Sequence, residues 1–251
     1  MRLTAEPHLA YKRPTYKKLQ RHGRRKLHES LVGRGRETVM GGEHEPRNPL
    51  PSPLPDPQGS AVSDELLTPD EARALVLAAS GRAPTGLRNR ALVAIMYRSG
   101  LRPGEALALT PADVDRAGAA VSVPARKGGR GRVTGIDAAT LRLVDAWIAR
   151  RAQRGIGPGE RLFCTLAGQP LKAAYVRELL PRLARKAGSN KRVHPLALRY
   201  ANAAELAEEG MPAAMIDRHL GIAPLGGARR YRRPVSQEEV TAAIAARDWT
   251  L

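Results

Sequence analysis

Cysteine and long apolar runs are both nearly absent from this 251-residue sequence. The one cysteine, Cys164, cannot form an internal disulfide or a cysteine-based metal site, which favours a reducing, cytoplasmic compartment. The longest apolar run covers residues 91–96, far short of the roughly 18 residues that a membrane-spanning helix needs. The N-terminus is basic, and no apolar segment follows it. We therefore expect neither a membrane protein nor a secreted one.

Acidic residues are also scarce. The chain has 24 Asp and Glu against 42 Lys and Arg, so its formal charge is +18. This excess excludes a neutral metabolic enzyme as the default and favours a phosphate-rich partner such as nucleic acid. The alternative is a solvated basic surface with no partner.

Residues 1–63 differ in composition from the rest of the chain. Residues 12–26 hold eight basic side chains and no acidic one, and residues 48–56 are rich in proline. Neither part has an apolar period, so we predict a disordered basic arm and linker ahead of one folded domain, residues 64–251. We predict that the arm contacts DNA backbone, and the alternative is an unselected basic leader. The arm residues chosen as contacts are Lys17, Lys18, Arg24 and Arg25.

The folded part begins with a helix signal. Thr68 can cap a helix, and Glu71 can complete a reciprocal capping pair. Apolar spacing predicts a second helix through residues 87–96, ended by Gly100, and a short one through residues 105–109. Two strands, residues 120–123 and 132–136, flank a glycine-rich basic tip and predict a hairpin.

From residue 137 onward the apolar spacing is helical again. Further helices are predicted through residues 141–148, 176–183 and 198–206, and a capped helix follows Ser236. Pro181 is expected to kink its helix. The predicted fold class is mainly α with a small antiparallel β-sheet (α+β).

Four short segments occur in an informative order. They are Ser-Gly-Leu-Arg-Pro-Gly-Glu at 99–105, the hairpin tip at Lys127, His-Pro-Leu-Ala-Leu-Arg at 194–199, and Leu-Gly-Ile at 220–222 with Tyr231 nine residues later. From about residue 65 to 233 the chain resembles the catalytic domain of tyrosine recombinases, the phage-integrase family. The resemblance implies that fold and a DNA-cleaving transesterification through a 3′-phosphotyrosyl link. It also implies double-stranded DNA as partner, no cofactor and no metal, and a homo-oligomer, a tetramer at synapsis.

The resemblance assigns a role to each matching residue. Arg102 and Arg199 match the arginines that clamp the scissile phosphate, where bidentate, permanently charged guanidinium groups suit the added negative charge. Lys127 matches the general acid and Tyr231 the nucleophile. Glu105 matches the acidic position that supports the first arginine. The neighbours Arg126, Arg130 and Arg132 compete with Lys127 for its role and are predicted DNA contacts.

Two positions depart from the family pattern. Leu196 and Ile222 stand where active-site histidines are usual, and neither side chain can move a proton or donate a hydrogen bond. His194 and His219 lie nearby, and we expect an ordinary loop histidine and an ordinary surface histidine. The alternative is that one of them replaces a missing histidine.

The N-terminus is the other departure, because residues 1–63 are too short and too proline-rich for the usual core-binding domain. A truncated gene would explain this as well as a native start. The predicted function is a site-specific recombinase or integrase homologue, nucleoid-associated and impaired in rate. The alternative is a non-catalytic DNA-binding relic or regulator. The C-terminal helix either docks on a neighbouring protomer or packs on its own domain.

Overall fold

The computed structural model describes residues 66–125, 131–222 and 235–251, which belong to one unit of the chain. The predicted arm and linker, residues 1–63, lie outside the described residues. So do the hairpin tip, residues 126–130, and residues 223–234, which include Tyr231. The predicted boundary between arm and domain therefore stays a prediction.

The described residues form eight α-helices and one three-stranded antiparallel sheet, and they confirm the predicted α+β class. A 3₁₀ turn, Pro111–Asp113, precedes the sheet. The helices are α1 Pro69–Ala78, α2 Pro84–Arg98, α3 Pro103–Ala106, α4 Ala138–Ala152, α5 Ala173–Lys186, α6 Pro195–Glu208, α7 Ala213–Leu220 and α8 Gln237–Ala245. The strands are β1 Val114–Asp115, β2 Ala120–Val123 and β3 Arg132–Gly135.

Both predicted capping boxes are confirmed. The Thr68 hydroxyl accepts a hydrogen bond from the Glu71 backbone N–H at 3.2 Å, and the Glu71 carboxylate accepts one from the Thr68 N–H at 2.8 Å. Ser236 and Glu239 make the same reciprocal pair ahead of α8, at 3.0 Å each way. These local hydrogen bonds satisfy backbone donors that the first helical turn leaves free.

The hairpin is confirmed, and the sheet has one more strand than the sequence predicts. Ala120 pairs with Gly135 and Val123 with Arg132, so β2 and β3 align along their whole length. Strand β1 adds only two residues to the other side of β2, too few to show an alternating pattern. Helix α3 ends at Ala106, three residues before the predicted end.

Helix α2 forms the centre of the larger apolar cluster. Its residues from Ala91 to Arg98 are all buried, and α1 and α4 pack on it. A smaller cluster joins α6, α7 and α8 through Leu206, Leu220 and Val240. Gly135 lets α8 approach β3, since a Cβ there would lie 2.5 Å from the Thr241 carbonyl oxygen. In this structure the C-terminal helix therefore packs on its own domain.

A buried ionic network ties the C-terminal segment to the core. The fully buried Arg98 donates to Asp137 and to Glu205, both at 2.8 Å. Glu205 also accepts a hydrogen bond from the Tyr97 hydroxyl at 2.8 Å and pairs with Arg247 at 2.6 Å. Glu205 is therefore a shared anion for two buried guanidinium groups.

Replacing Glu205 by Gln is expected to lower the free energy of unfolding by about 3–5 kcal/mol, because Arg98 and Arg247 lose a shared buried counterion. Chemical denaturation measures the change. The control is the exposed Glu208→Gln on the same helix, which removes one negative charge without that contact. Equal unfolding free energies for the two variants would contradict this account.

Candidate active site

The turn after α2 brings the site together. Gly100 has a positive φ of 59°, which favours glycine, and a Cβ there would lie 2.5 Å from the Leu220 side chain. Leu101 is buried, and Arg102 caps α3 with its side chain 47% exposed. The turn therefore presents the Arg102 guanidinium to solvent while its preceding residues pack against the last turn of α7.

Arg199 lies beneath this turn on α6 and is only 4% exposed. One Nη donates to the Gly100 carbonyl at 2.5 Å, and the other donates to the Leu220 carbonyl. Burial lowers the pKa of Arg199 to about 10, and the nearby charges of Arg102 and Arg132 contribute. The guanidinium stays protonated at neutral pH and is held by two backbone carbonyls from separate elements.

The main ionic partner of Glu105 is Arg132. The Arg132 guanidinium donates to both Glu105 carboxylate oxygens, at 2.8 and 3.0 Å, whereas the Arg102 guanidinium lies 3.9 Å away. Glu105 does support the backbone of Arg102, because its carboxylate accepts a hydrogen bond from the Arg102 N–H at 2.8 Å. Burial alone would raise the pKa of Glu105, but the hydrogen bonds and charge of Arg132 lower it below its usual value.

Arg132 itself was predicted to contact DNA, and the structure gives it internal partners. Besides Glu105, its Nε donates to the His219 carbonyl at 3.1 Å, and its side chain is 12% exposed. Together Arg102, Arg132 and Arg199 surround one carboxylate. The cluster therefore keeps a net positive charge of two at an accessible turn, which suits a phosphate group.

His219 is not the surface histidine that the sequence predicts. It is fully buried, and its Nδ1 lies 2.7 Å from the Thr134 hydroxyl while its Nε2 lies 3.1 Å from the Asn202 side-chain oxygen. Burial, with the charges of Arg247, Arg132 and Arg199, lowers the pKa of His219 well below its ordinary value. The prediction was wrong because Thr134 and Asn202 supply polar partners inside the domain, so burial leaves no orphaned ring nitrogen.

The remaining three positions, Leu196, Ile222 and His194, place no imidazole beside Arg199. Leu196 is 40% exposed on the first turn of α6, and Ile222 packs against the smaller apolar cluster. His194 is exposed and caps α6, with its Nδ1 accepting from the Ala197 backbone N–H at 3.3 Å. The expected loop histidine is thus a helix cap.

Several predicted site residues lie outside the described part of the chain. These are Lys127, Tyr231, Arg126, Arg130 and the four arm residues Lys17, Lys18, Arg24 and Arg25. Sequence reasoning missed Thr134 and Asn202 altogether. A polar side chain three residues after Arg199, on a helix of mostly apolar residues, was the available signal for Asn202.

Within the described ranges, no three metal-ligating side chains cluster, and no helix is long and apolar enough to cross a membrane. The arginine cluster is the candidate site. The fold is that of the catalytic domain of tyrosine recombinases. The solved XerA recombinase has the same fold, with a TM-score of 0.58 and 23% identity over 69% of this chain and 61% of that one.

A second solved structure, the XerH site-specific recombinase bound to difH substrate, gives a TM-score of 0.56 and 24% identity, covering 66% of this chain and 49% of that one. The chain belongs to the phage integrase family, whose model matches residues 65–238. The resemblance predicted from the motifs is therefore confirmed.

Curated relatives support the same family. The tyrosine recombinase XerC 2 of Ralstonia nicotianae is 30% identical over 167 residues, which are 66% of this chain and 48% of that protein. XerC of Xylella fastidiosa is 33% identical over 166 residues, 66% of this chain and 55% of that protein. The chain spans about half the length of the curated relatives it matches.

The neutral state of His219 predicts a pH-dependent stability. In the unfolded chain the imidazole gains a proton near its ordinary pKa of 6.5, whereas in the folded chain it resists protonation to lower pH. The contribution of neutral His219 to the free energy of unfolding is therefore fully present above about pH 6.5. It decreases below that pH, by up to about 1.4 kcal/mol per pH unit. The measurement is the free energy of unfolding of wild type minus that of His219→Gln, followed with pH. A difference that stays constant down to about pH 5 would show that the fold does not lower the pKa of His219.

Proposed function

We propose that this protein is a site-specific DNA recombinase that cleaves and rejoins double-stranded DNA through a 3′-phosphotyrosyl intermediate. One observation carries the proposal: two arginines lie at the same turn. Arg102 is exposed there, and Arg199 is buried and bonded to backbone carbonyls. Arg102 supplies a guanidinium free to meet a phosphate, and Arg199 supplies one whose position is fixed. Family membership and likeness to recombinase structures support the same activity.

In the proposed reaction the Tyr231 phenolic oxygen forms a bond to the scissile phosphorus, and the bond from phosphorus to the 5′-oxygen breaks. Lys127 gives a proton to the leaving 5′-oxygen, and the phenolic proton passes to water. Arg102 and Arg199 stabilise the negative charge that develops on the non-bridging oxygens. Rejoining reverses these steps, with a 5′-hydroxyl attacking the phosphotyrosyl link. The reaction needs neither a metal nor another cofactor.

We propose that the enzyme is slow. A positioned acid or base contributes about 10²–10⁴ in rate, and one lost transition-state donor costs about 10²–10³. Leu196 and Ile222 supply neither group. The two losses do not multiply, because groups within one site act as a unit.

DNA is the proposed macromolecular partner, and the net charge of +18 supports it. Arg126 and Arg130, with the arm residues Lys17, Lys18, Arg24 and Arg25, are the proposed backbone contacts. We propose non-specific dissociation constants of roughly 10⁻⁴–10⁻⁶ M at physiological salt. A homo-oligomer assembled on DNA and association with the nucleoid complete the proposal.

Covalent trapping tests the proposed function. The protein is incubated with a library of nicked duplexes that includes the DNA flanking its own gene, then denatured and resolved by gel electrophoresis. A protein–DNA adduct is expected for wild type and not for Tyr231→Phe, because only the phenolic oxygen can form the phosphotyrosyl bond.

Tyr175→Phe is the matched control, because it removes one hydroxyl that bonds to Asn89 and Arg88, outside the arginine cluster. It is expected to form the adduct as wild type does. Salt-dependent DNA binding with no adduct from any duplex would contradict the recombinase proposal and leave a DNA-binding relic or regulator.

A further inference from the structure

The last turn of α7 holds two of the three site arginines through consecutive backbone carbonyls. Arg132 donates to the carbonyl of His219, and Arg199 donates to the carbonyl of Leu220. Neither carbonyl is needed to continue α7, because helix-terminal carbonyls have no partner in the helix itself. The position of this turn therefore decides where both guanidinium groups lie.

The His219 ring fixes that turn to the two elements that carry those same arginines. Its Nδ1 faces the Thr134 hydroxyl on β3, two residues after Arg132 and on the same face of the strand. Its Nε2 faces the Asn202 oxygen on α6, three residues after Arg199 and so on the same side of the helix. One buried ring thus links β3, α6 and α7 directly behind the site.

The surrounding backbone is shaped to admit the ring. A Cβ at Gly100 would lie 3.1 Å from His219 Nε2 and 3.2 Å from the Asn202 oxygen. Gly221 ends α7 with a φ of 64°, and a Cβ there would lie 2.9 Å from the Arg132 side chain. Gly100 therefore permits the packing around His219, and Gly221 permits the close approach of the Arg132 side chain.

The hydrogen bonds are consistent with one neutral tautomer. The Thr134 hydroxyl donates to Nδ1, and the Nε2–H donates to the Asn202 oxygen. The ring is fully buried, so it presents no atom to a substrate at the surface of the domain. Its effect on the reaction has to pass through the arginines that its turn holds.

We infer that His219 is a positioning residue of the site: its ring, bonded to Thr134 and Asn202, sets the α7 turn whose carbonyls orient Arg132 and Arg199. The consequence for DNA cleavage rests on the proposed function, whereas the orientation of the arginines does not. His219 does not replace either missing histidine. It stabilises the clamp that remains.

The test compares His219→Leu with His219→Gln. Leucine fills the space without hydrogen bonds, whereas the glutamine amide can accept from Thr134 and donate to Asn202. Single-turnover cleavage of saturating nicked duplex is expected to fall roughly 100-fold in His219→Leu, because small displacements of positioning groups have effects of that size. DNA affinity is expected to stay unchanged, and His219→Gln is expected to restore most of the rate.

Two further variants separate positioning from loss of folding. Val144→Ala opens a buried site on α4, away from the cluster, and is expected to lower stability while leaving the rate per folded molecule unchanged. Thr134→Val removes one of the two ring hydrogen bonds with little change in shape, and a smaller fall in rate is expected. Thr134→Val also tests the positioning role if His219→Leu does not fold.

A second readout is independent of cleavage. Hydrogen exchange of the Arg132 Nε–H, followed by NMR, reports its bond to the His219 carbonyl directly. Slow exchange is expected in wild type, His219→Gln and Val144→Ala, and fast exchange in His219→Leu. Slow exchange in His219→Leu, with a cleavage rate equal to that of Val144→Ala, would overturn the inference. If wild type forms no adduct while the exchange pattern holds, the proposed function fails and the positioning role stands.

Discussion

The site depends on one buried cation held by backbone carbonyls. Removing a guanidinium from water is costly unless its donors are satisfied, and Arg199 meets this condition through the carbonyls of Gly100 and Leu220. Those acceptors come from the turn after α2 and the end of α7. The charge of Arg199 can therefore be accommodated only when both elements are in place, which couples the arginine cluster to the assembly of the domain.

The same constraint explains why the site combines one fixed and one free arginine. Arg132 and Glu105 neutralise each other, which leaves Arg102 exposed, with its guanidinium 3.9 Å from the nearest Glu105 oxygen. A phosphate that met Arg102 would need little rearrangement of the protein, because the neighbouring charges are already oriented. Such preorganisation is the largest single contribution to catalysis at many sites of charge development.

The chain keeps a histidine close to the site but in a different role. The positions where the family usually has histidine hold Leu196 and Ile222, while His219 is buried behind the arginines and neutral. Its ring nitrogens already have partners in Thr134 and Asn202. The proposed reaction therefore assigns no proton transfer to His219. We infer that it contributes the geometry of the neighbouring arginine charges.

Local signals in the sequence predicted the parts of the fold that local interactions determine. The capping residues Thr68 and Ser236 marked helix starts, and two short strand patterns around a glycine-rich tip marked the hairpin. Arg102 and Arg199 were predicted as site residues from short, contiguous motifs, and the structure brings both to one turn. The partner of Glu105 was not predictable, since Arg132 is 27 residues away and the ion pair depends on how β3 and α3 lie together in the folded domain. His219 was misplaced for the same reason, because its hydrogen-bond partners lie 85 and 17 residues away.

The central claim is that Arg102 and Arg199 together bind the scissile phosphate. A crystal structure of the protein covalently trapped on a nicked duplex tests it most directly. The account predicts guanidinium nitrogens of both arginines within about 3.2 Å of the non-bridging oxygens of that phosphate. A phosphate bound elsewhere, with Arg102 still exposed to solvent and Arg199 still bonded only to backbone carbonyls, would contradict it.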